Sequence, residues 1–205
     1  NFLRMALYLE LSRPEGDVSR WEKVFKRLIL LNDYRPLIAN NCRLVKFDNK
    51  NDKLYNIIKK ILIDLNVVFF GIFALHQYSL LDKKKSEKII NNDGSFKILS
   101  MYPLETLLTI KKKFEKKNIV DIEFIRKSGI GEIIAPYYKV IIENTFTIYI
   151  YQPLACHSYN TIKINGKNVK IATIDTLLSF YLAFLYSGDQ EYNIPDILCL
   201  AEFLF

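Results

Sequence analysis

Two carboxylates one residue apart, Asp121 and Glu123 in "VDIEFI" (120–125), have the spacing that metal-dependent phosphate chemistry uses. Side chains on a β-strand alternate faces with a period of two, so such a pair projects both carboxylates from one face. Hard cations such as Mg²⁺ prefer oxygen ligands, and two of them can clamp the attacking and leaving oxygens of an in-line displacement at phosphorus. The same chemistry wants a glycine turn between a strand and a helix, where backbone N–H groups at the helix start approach a phosphate. "NVVFFGIFALHQYSLL" (66–81) supplies that turn at Gly71 but places Ile72 after it, a bulky β-branched residue where a small one would ease the approach. A carboxylate pair on the next strand would complete such a site. That strand reads Ser95, Phe96, Lys97. Ser95 brings no charge and Lys97 repels a divalent cation, so the metal site expected beside Gly71 is degenerate. Asp121 and Glu123 come later, past an intervening helix, and read more simply as the polar side of a half-exposed strand.

Other reactive or charged groups have equally plain readings beside their sharper ones. Arg20, Lys23, Lys26 and Arg27 form a basic stripe at helical spacing, opposite the apolar Val18, Trp21, Phe25 and Leu28. The stripe suits RNA or triphosphate contacts and equally suits a solvated helix face. Trp21, in the middle of the apolar face, is expected to pack. Lys111, Lys112, Lys113, Lys116 and Lys117 crowd one helix end, where cations complement the helix dipole. Lys83, Lys84, Lys85 and Lys88 fall in a loop. Cys156 and His157 are a lone adjacent pair with no spaced second pair, which favours packing over metal binding, and His76 is read as structural too. Cys42, Cys156 and Cys199 are odd in number and far apart, indicating neither a zinc site nor a disulfide framework and fitting a reducing compartment.

The elements that position these residues have an α/β pattern. Residues 1–45 read as two helices around the "SRPEGD" turn, with Asp17 or Ser19 as N-cap and Ser19 with Glu22 as a capping box. A polar stretch, "KFDNKNDK" (46–53), separates these helices from the α/β region. From residue 54 the pattern predicts a helix (54–65), a strand (66–70), a helix to about Leu81, a strand (96–100) and a helix opened by Pro103. Strands are predicted over 120–125, 137–143 and 145–151, and Asn165-Gly166 marks a hairpin. Helices close the sequence, over 174–186 and from about Pro195. "LLSFYLAFLY" (177–186) is apolar on every helical face, so it is buried, and it is too short to span a bilayer.

Composition agrees with a folded body. Half of the 205 residues are hydrophobic and 14% are aromatic, which argues against disorder. The net charge of +7 accommodates a polyanionic partner without requiring one. The sequence opens inside a helical pattern without Met and closes on one without a stop signal, as expected for a piece of a longer polypeptide whose C-terminus is cut.

Five blocks carry a resemblance: "NFLRMALYLELSRPEGDVSRWEKVFKRLILLN" (1–32), "FFGIFA" (69–74), "IGEIIAPYY" (130–138), "YQPLACHSYNTI" (151–162) and "IATIDTLLSFYLAFLY" (171–186). Together they resemble the poly(A) polymerase catalytic subunit of giant, nucleocytoplasmic large DNA viruses. The resemblance implies an active nucleotidyltransferase domain upstream, a helical middle region at 1–45, and a second, non-catalytic nucleotidyltransferase-like domain with a mixed sheet and C-terminal helices at 54–205. It implies Mg²⁺ and ATP for the parent enzyme, with none bound by this segment, and adenylate addition to mRNA 3′ ends. It also implies RNA, the upstream catalytic domain and a second copy of the chain as partners, no membrane, and a place in the virion and the host cytoplasm. Ile72, Ser95 and Lys97 depart from the active pattern, so no metal ligand carries over to any position here. Two alternatives stand beside this reading: a self-contained nucleotidyltransferase using Asp121 and Glu123, and a stand-alone RNA-binding module.

Overall fold

The computed structural model of the chain describes residues 18–38, 53–79, 95–131, 134–153, 157–187 and 192–204. In chain order the elements are α1 (Val18–Tyr34), α2 (Lys53–Asp64), β1 (Val68–Phe70), α3 (Gly71–Ser79), β2 (Ser95–Leu99) and α4 (Pro103–Glu115). They continue with β3 (Ile122–Lys127), β4 (Tyr137–Ile142), β5 (Phe146–Tyr151), β6 (Tyr159–Ile164), β7 (Lys167–Ala172), α5 (Ile174–Ser187) and α6 (Ile194–Leu204). The chain divides into two compact units, one of Asn1–Arg43 with Thr173–Phe205 and one of Leu44–Ala172. The closing helices α5 and α6 fall in the first of these units.

The second unit is built on a seven-stranded mixed sheet in the order β3-β4-β5-β2-β1-β7-β6. The pairs β2/β5 and β1/β7 are parallel, and β1/β2, β3/β4, β4/β5 and β6/β7 are antiparallel. Tight turns set the antiparallel registers. Glu143 and Asn144 (φ 49 and 52) join β4 to β5, and the Thr145 N–H donates to the Ile142 carbonyl at 3.0 Å. Asn165 and Gly166 (φ 49 and 79) do the same for β6 and β7, as Asn-Gly between alternating strands dictates. Asn66 and Asn118 take left-handed φ just after α2 and α4, a conformation that asparagine tolerates at helix ends.

One face of this sheet is apolar, and α2, α3 and α4 pack on it. Phe69, Phe96, Ile98, Val140, Ile142, Ile148 and Ile150 are all fully buried there, together with Ile58 and Leu62 of α2 and Ile110 and Phe114 of α4. Tyr55 of α2 stacks on Phe96 with ring centroids 4.8 Å apart, and Phe73 of α3 lies 4.5 Å from Phe69. The opposite face mixes buried aromatics with lysines. Phe70, Tyr137 and Tyr151 are buried on it, with Tyr137 and Tyr151 stacked at 4.5 Å and Phe70 edge-on to Tyr151 at 5.3 Å.

In the first unit, α1 buries Val24 and Leu28 and exposes Lys23, Lys26 and Arg27. The helix is described from Val18 onward; Asp17 and the side chain of Ser19 lie outside the described residues, and with them the expected N-cap and the capping box of Ser19 with Glu22. The expected helix before α1 also lies outside them, as do the side chains of Arg20 and Trp21. α5 is buried from Leu177 through Leu185 except at Ser179 and Phe180, and Phe184 stacks on Tyr192 just before α6, at 4.3 Å. Among the described residues no helix is long and apolar enough to cross a membrane.

Candidate functional site

The turn at Gly71 is where the sheet offers chemistry. β1 is too short to do more than deliver the chain to Gly71, which takes φ +68 and opens α3. Antiparallel pairing sets Phe70 opposite Lys97, so the lysine side chain projects beside the turn. A Cβ built on Gly71 would lie 3.1 Å from Lys97 Cδ, 3.2 Å from Cβ and 3.3 Å from Cγ. The lysine stem therefore lies along the glycine. It fills the space that a side chain at position 71 would need. Beyond the stem, the Lys97 ammonium sits 5.2 Å from the centre of the Tyr149 ring. Beyond its charge, which repels a metal ion, Lys97 packs directly against the turn.

The rest of the set does not fit a Mg²⁺–nucleotide complex. Ser95 is buried at 8% exposure and paired in register with Thr147 of β5, and Ile72 is half-buried. No hard-cation donor set stands beside the turn at positions 95 and 97. Asp121 precedes β3 rather than lying on it, and its backbone carbonyl accepts a hydrogen bond from the Glu143 N–H at 2.9 Å. Glu123 is exposed on β3, an edge strand four steps across the sheet from β1, or roughly 19 Å at ~4.8 Å per step. The glycine turn and the acidic pair are thus not brought together. Among the described residues no group of three or more His, Cys, Asp or Glu side chains converges.

The basic stripe on α1 is exposed at Lys23, Lys26 and Arg27. Lys26 is drawn into an i,i+4 pair with Glu22 at 2.6 Å, with both side chains largely in solvent. Such a pair contributes little and leaves the lysine free to exchange partners. Lys111 lies 5.7 Å over the Phe124 ring, while Lys83, Lys84, Lys85 and Lys88 lie outside the described residues. A second basic cluster was not visible in the sequence. Lys167 at the start of β7 hydrogen-bonds Asp64 at the end of α2, and Lys113 and Lys60 are close enough to add to its field. The Lys167 contact, helped by those charges, holds the Asp64 carboxyl below the usual carboxylate range. The paired residues are 103 positions apart, so no local spacing could have signalled them.

His157 is half-buried, and burial pushes its imidazole below its usual value. His76 is exposed on α3, with Gln77 Nε2 3.5 Å from its Nδ1. Cys199 is disulfide-bonded, against the expectation of unpaired thiols; Cys42 and Cys156 lie outside the described residues.

The crystal structure of the Megavirus polyadenylate synthase shares this fold. It is similar over 98% of the present chain with a TM-score of 0.71, at 13% sequence identity. The match covers 43% of that chain, so the present chain spans less than half of its length. No family model and no curated protein matches the chain by sequence. The fold shared with it is a mixed α/β one, here with a seven-stranded sheet and C-terminal helices.

Proposed function

We propose that this chain is a non-catalytic, nucleotidyltransferase-like part of a viral poly(A) polymerase, helping to hold RNA while adenylates are added from ATP by a catalytic domain elsewhere in the same polypeptide. The observation that carries the reading is the Lys97 stem lying on the Gly71 turn, in a fold shared with a polyadenylate synthase. In this account Mg²⁺ and ATP serve the upstream domain and not this one. Arg20, Lys23, Lys26 and Arg27 contact RNA phosphates, and the segment braces its catalytic neighbour and takes part in self-association. The site of action is the virion and the host cytoplasm. The separation of Asp121 and Glu123 from the glycine turn speaks against an independent active site there.

RNA binding tests the reading. Because released counterions dominate phosphate contacts, binding of a single-stranded RNA is expected to be weak, indifferent to sequence and steeply salt-dependent. Reversing the charge of Lys23 and Arg27 together is expected to weaken it uniformly across sequences. Unchanged affinity in that double variant assigns the stripe to solvation alone.

A further inference from the structure

The sheet face turned away from α2, α3 and α4 carries a second feature that the packing of Lys97 on the glycine turn does not explain. Tyr149 stands on β5 between Lys97 of β2 and Lys139 of β4, each its direct cross-strand partner. The two ammonium groups lie 5.2 and 5.7 Å from the centre of the same ring. All three residues are half-buried. Next to them, Tyr137 and Tyr151 lie 6.3 Å from Tyr149, a buried aromatic floor that fixes its position. The strand registers put Lys127, Lys163 and Lys170 on this same face as well, against the single carboxylate of Glu123 among its described strand residues.

We infer that Tyr149, flanked by Lys97 and Lys139, is a stacking platform for an unpaired base of single-stranded RNA, with the lysines taking the phosphates on either side of it. This rests on the RNA-holding role proposed above and gives it a location. A ligand matching the site must offer a flat π-face and, one short step to each side, a negative charge. Single-stranded nucleic acid repeats that alternation along its length. The surplus of lysines on this face is complementary to its backbone. Cation–π contacts at a half-exposed ring are weaker than base stacking on it, so an arriving base can displace the ammonium groups and leave them beside its phosphates. A duplex cannot use the platform, because its bases are stacked on one another.

The test is anisotropy of a labelled 15-nucleotide oligo(A), about four times the shortest single-strand site size, with the whole 205-residue chain. Tyr149→Leu is expected to weaken binding by about tenfold, within the range that stacking on one ring supplies. Tyr149→Phe keeps the ring and is expected to stay within about twofold of the parent. Lys97→Met with Lys139→Met keeps both stems and should lower the salt slope by about 0.7 for each lysine. A fully paired duplex should bind with an affinity that does not respond to Tyr149→Leu. Equal losses in Tyr149→Phe and Tyr149→Leu, or displacement of the oligonucleotide by an equal concentration of ATP, overturn the platform. A chain that responds to charge reversal at Lys23 and Arg27 but not to Tyr149→Leu binds RNA elsewhere, which overturns the platform and leaves the RNA-holding role standing. A chain that binds no RNA overturns both.

Discussion

A single methyl group added at Gly71 would meet two obstacles, a left-handed backbone at φ +68 and the Lys97 stem at 3.1 Å. Gly71→Ala is therefore expected to lower stability by about 1–3 kcal/mol, read as a shift in the denaturation midpoint. An unchanged midpoint would mean that the turn and the stem both yield freely, and that the packing drawn between them is loose. Asp64 offers a test with a sign. Its carboxyl is held low by Lys167, so the pair's contribution is full above the unfolded carboxylate value of about 3.9 and is lost as pH falls through the lower folded value. Asp64→Asn should lower the midpoint at neutral pH, and its difference from the parent should fade in acid and in high salt. Denaturation at several pH values checks this, and a difference independent of pH would assign the effect to shape. At this scale the sequence was partly legible. Lys97 beside Gly71 could be read from the order strand, turn, helix, strand, because local order fixes it. Lys97 against Tyr149 could not, since that contact needs the β2/β5 register.

Elements were the most legible layer, and the reason is turn chemistry. Asn165-Gly166 can adopt positive φ at both central positions, so it marks the β6/β7 hairpin without tertiary help. Pro103 opens α4 because its missing N–H is not needed in a first turn. β3 was harder: "VDIEFI" alternates as a strand should, but only its pairing with β4 shows that the strand starts at Ile122 and leaves Asp121 outside. α1 illustrates a shifted face. Periodicity marked Phe25 and Leu28, whereas Val24 and Leu28 are the deeply buried pair and Phe25 is half-buried. Leu28→Ala is expected to destabilise by about 2–5 kcal/mol, and Lys23→Ala, on the exposed side, by less than about 0.5 kcal/mol. Chemical denaturation of the two variants separates them; equal midpoints would mean that α1 does not contribute its buried face to the stability of the chain.

For the whole molecule, the sheet order fixes which residues stand beside the glycine turn. β1 pairs with β2, which brings the glycine turn beside the strand that carries positions 95 and 97. What stands at those positions is a buried serine and a lysine laid along the turn. The acidic residues that remain, Asp121 and Glu123, are at the far edge of the sheet. The unit that groups α5 and α6 with α1 joins segments distant along the chain, which local patterning does not address. The central claim, that this copy of the fold does no nucleotidyl transfer, meets its most direct test in primer extension. The chain is incubated with Mg²⁺, ATP and a labelled RNA primer, and the products are resolved by length. The account predicts a primer of unchanged length. Extension that disappears in Asp121→Ala would contradict it and place an active site at the acidic pair.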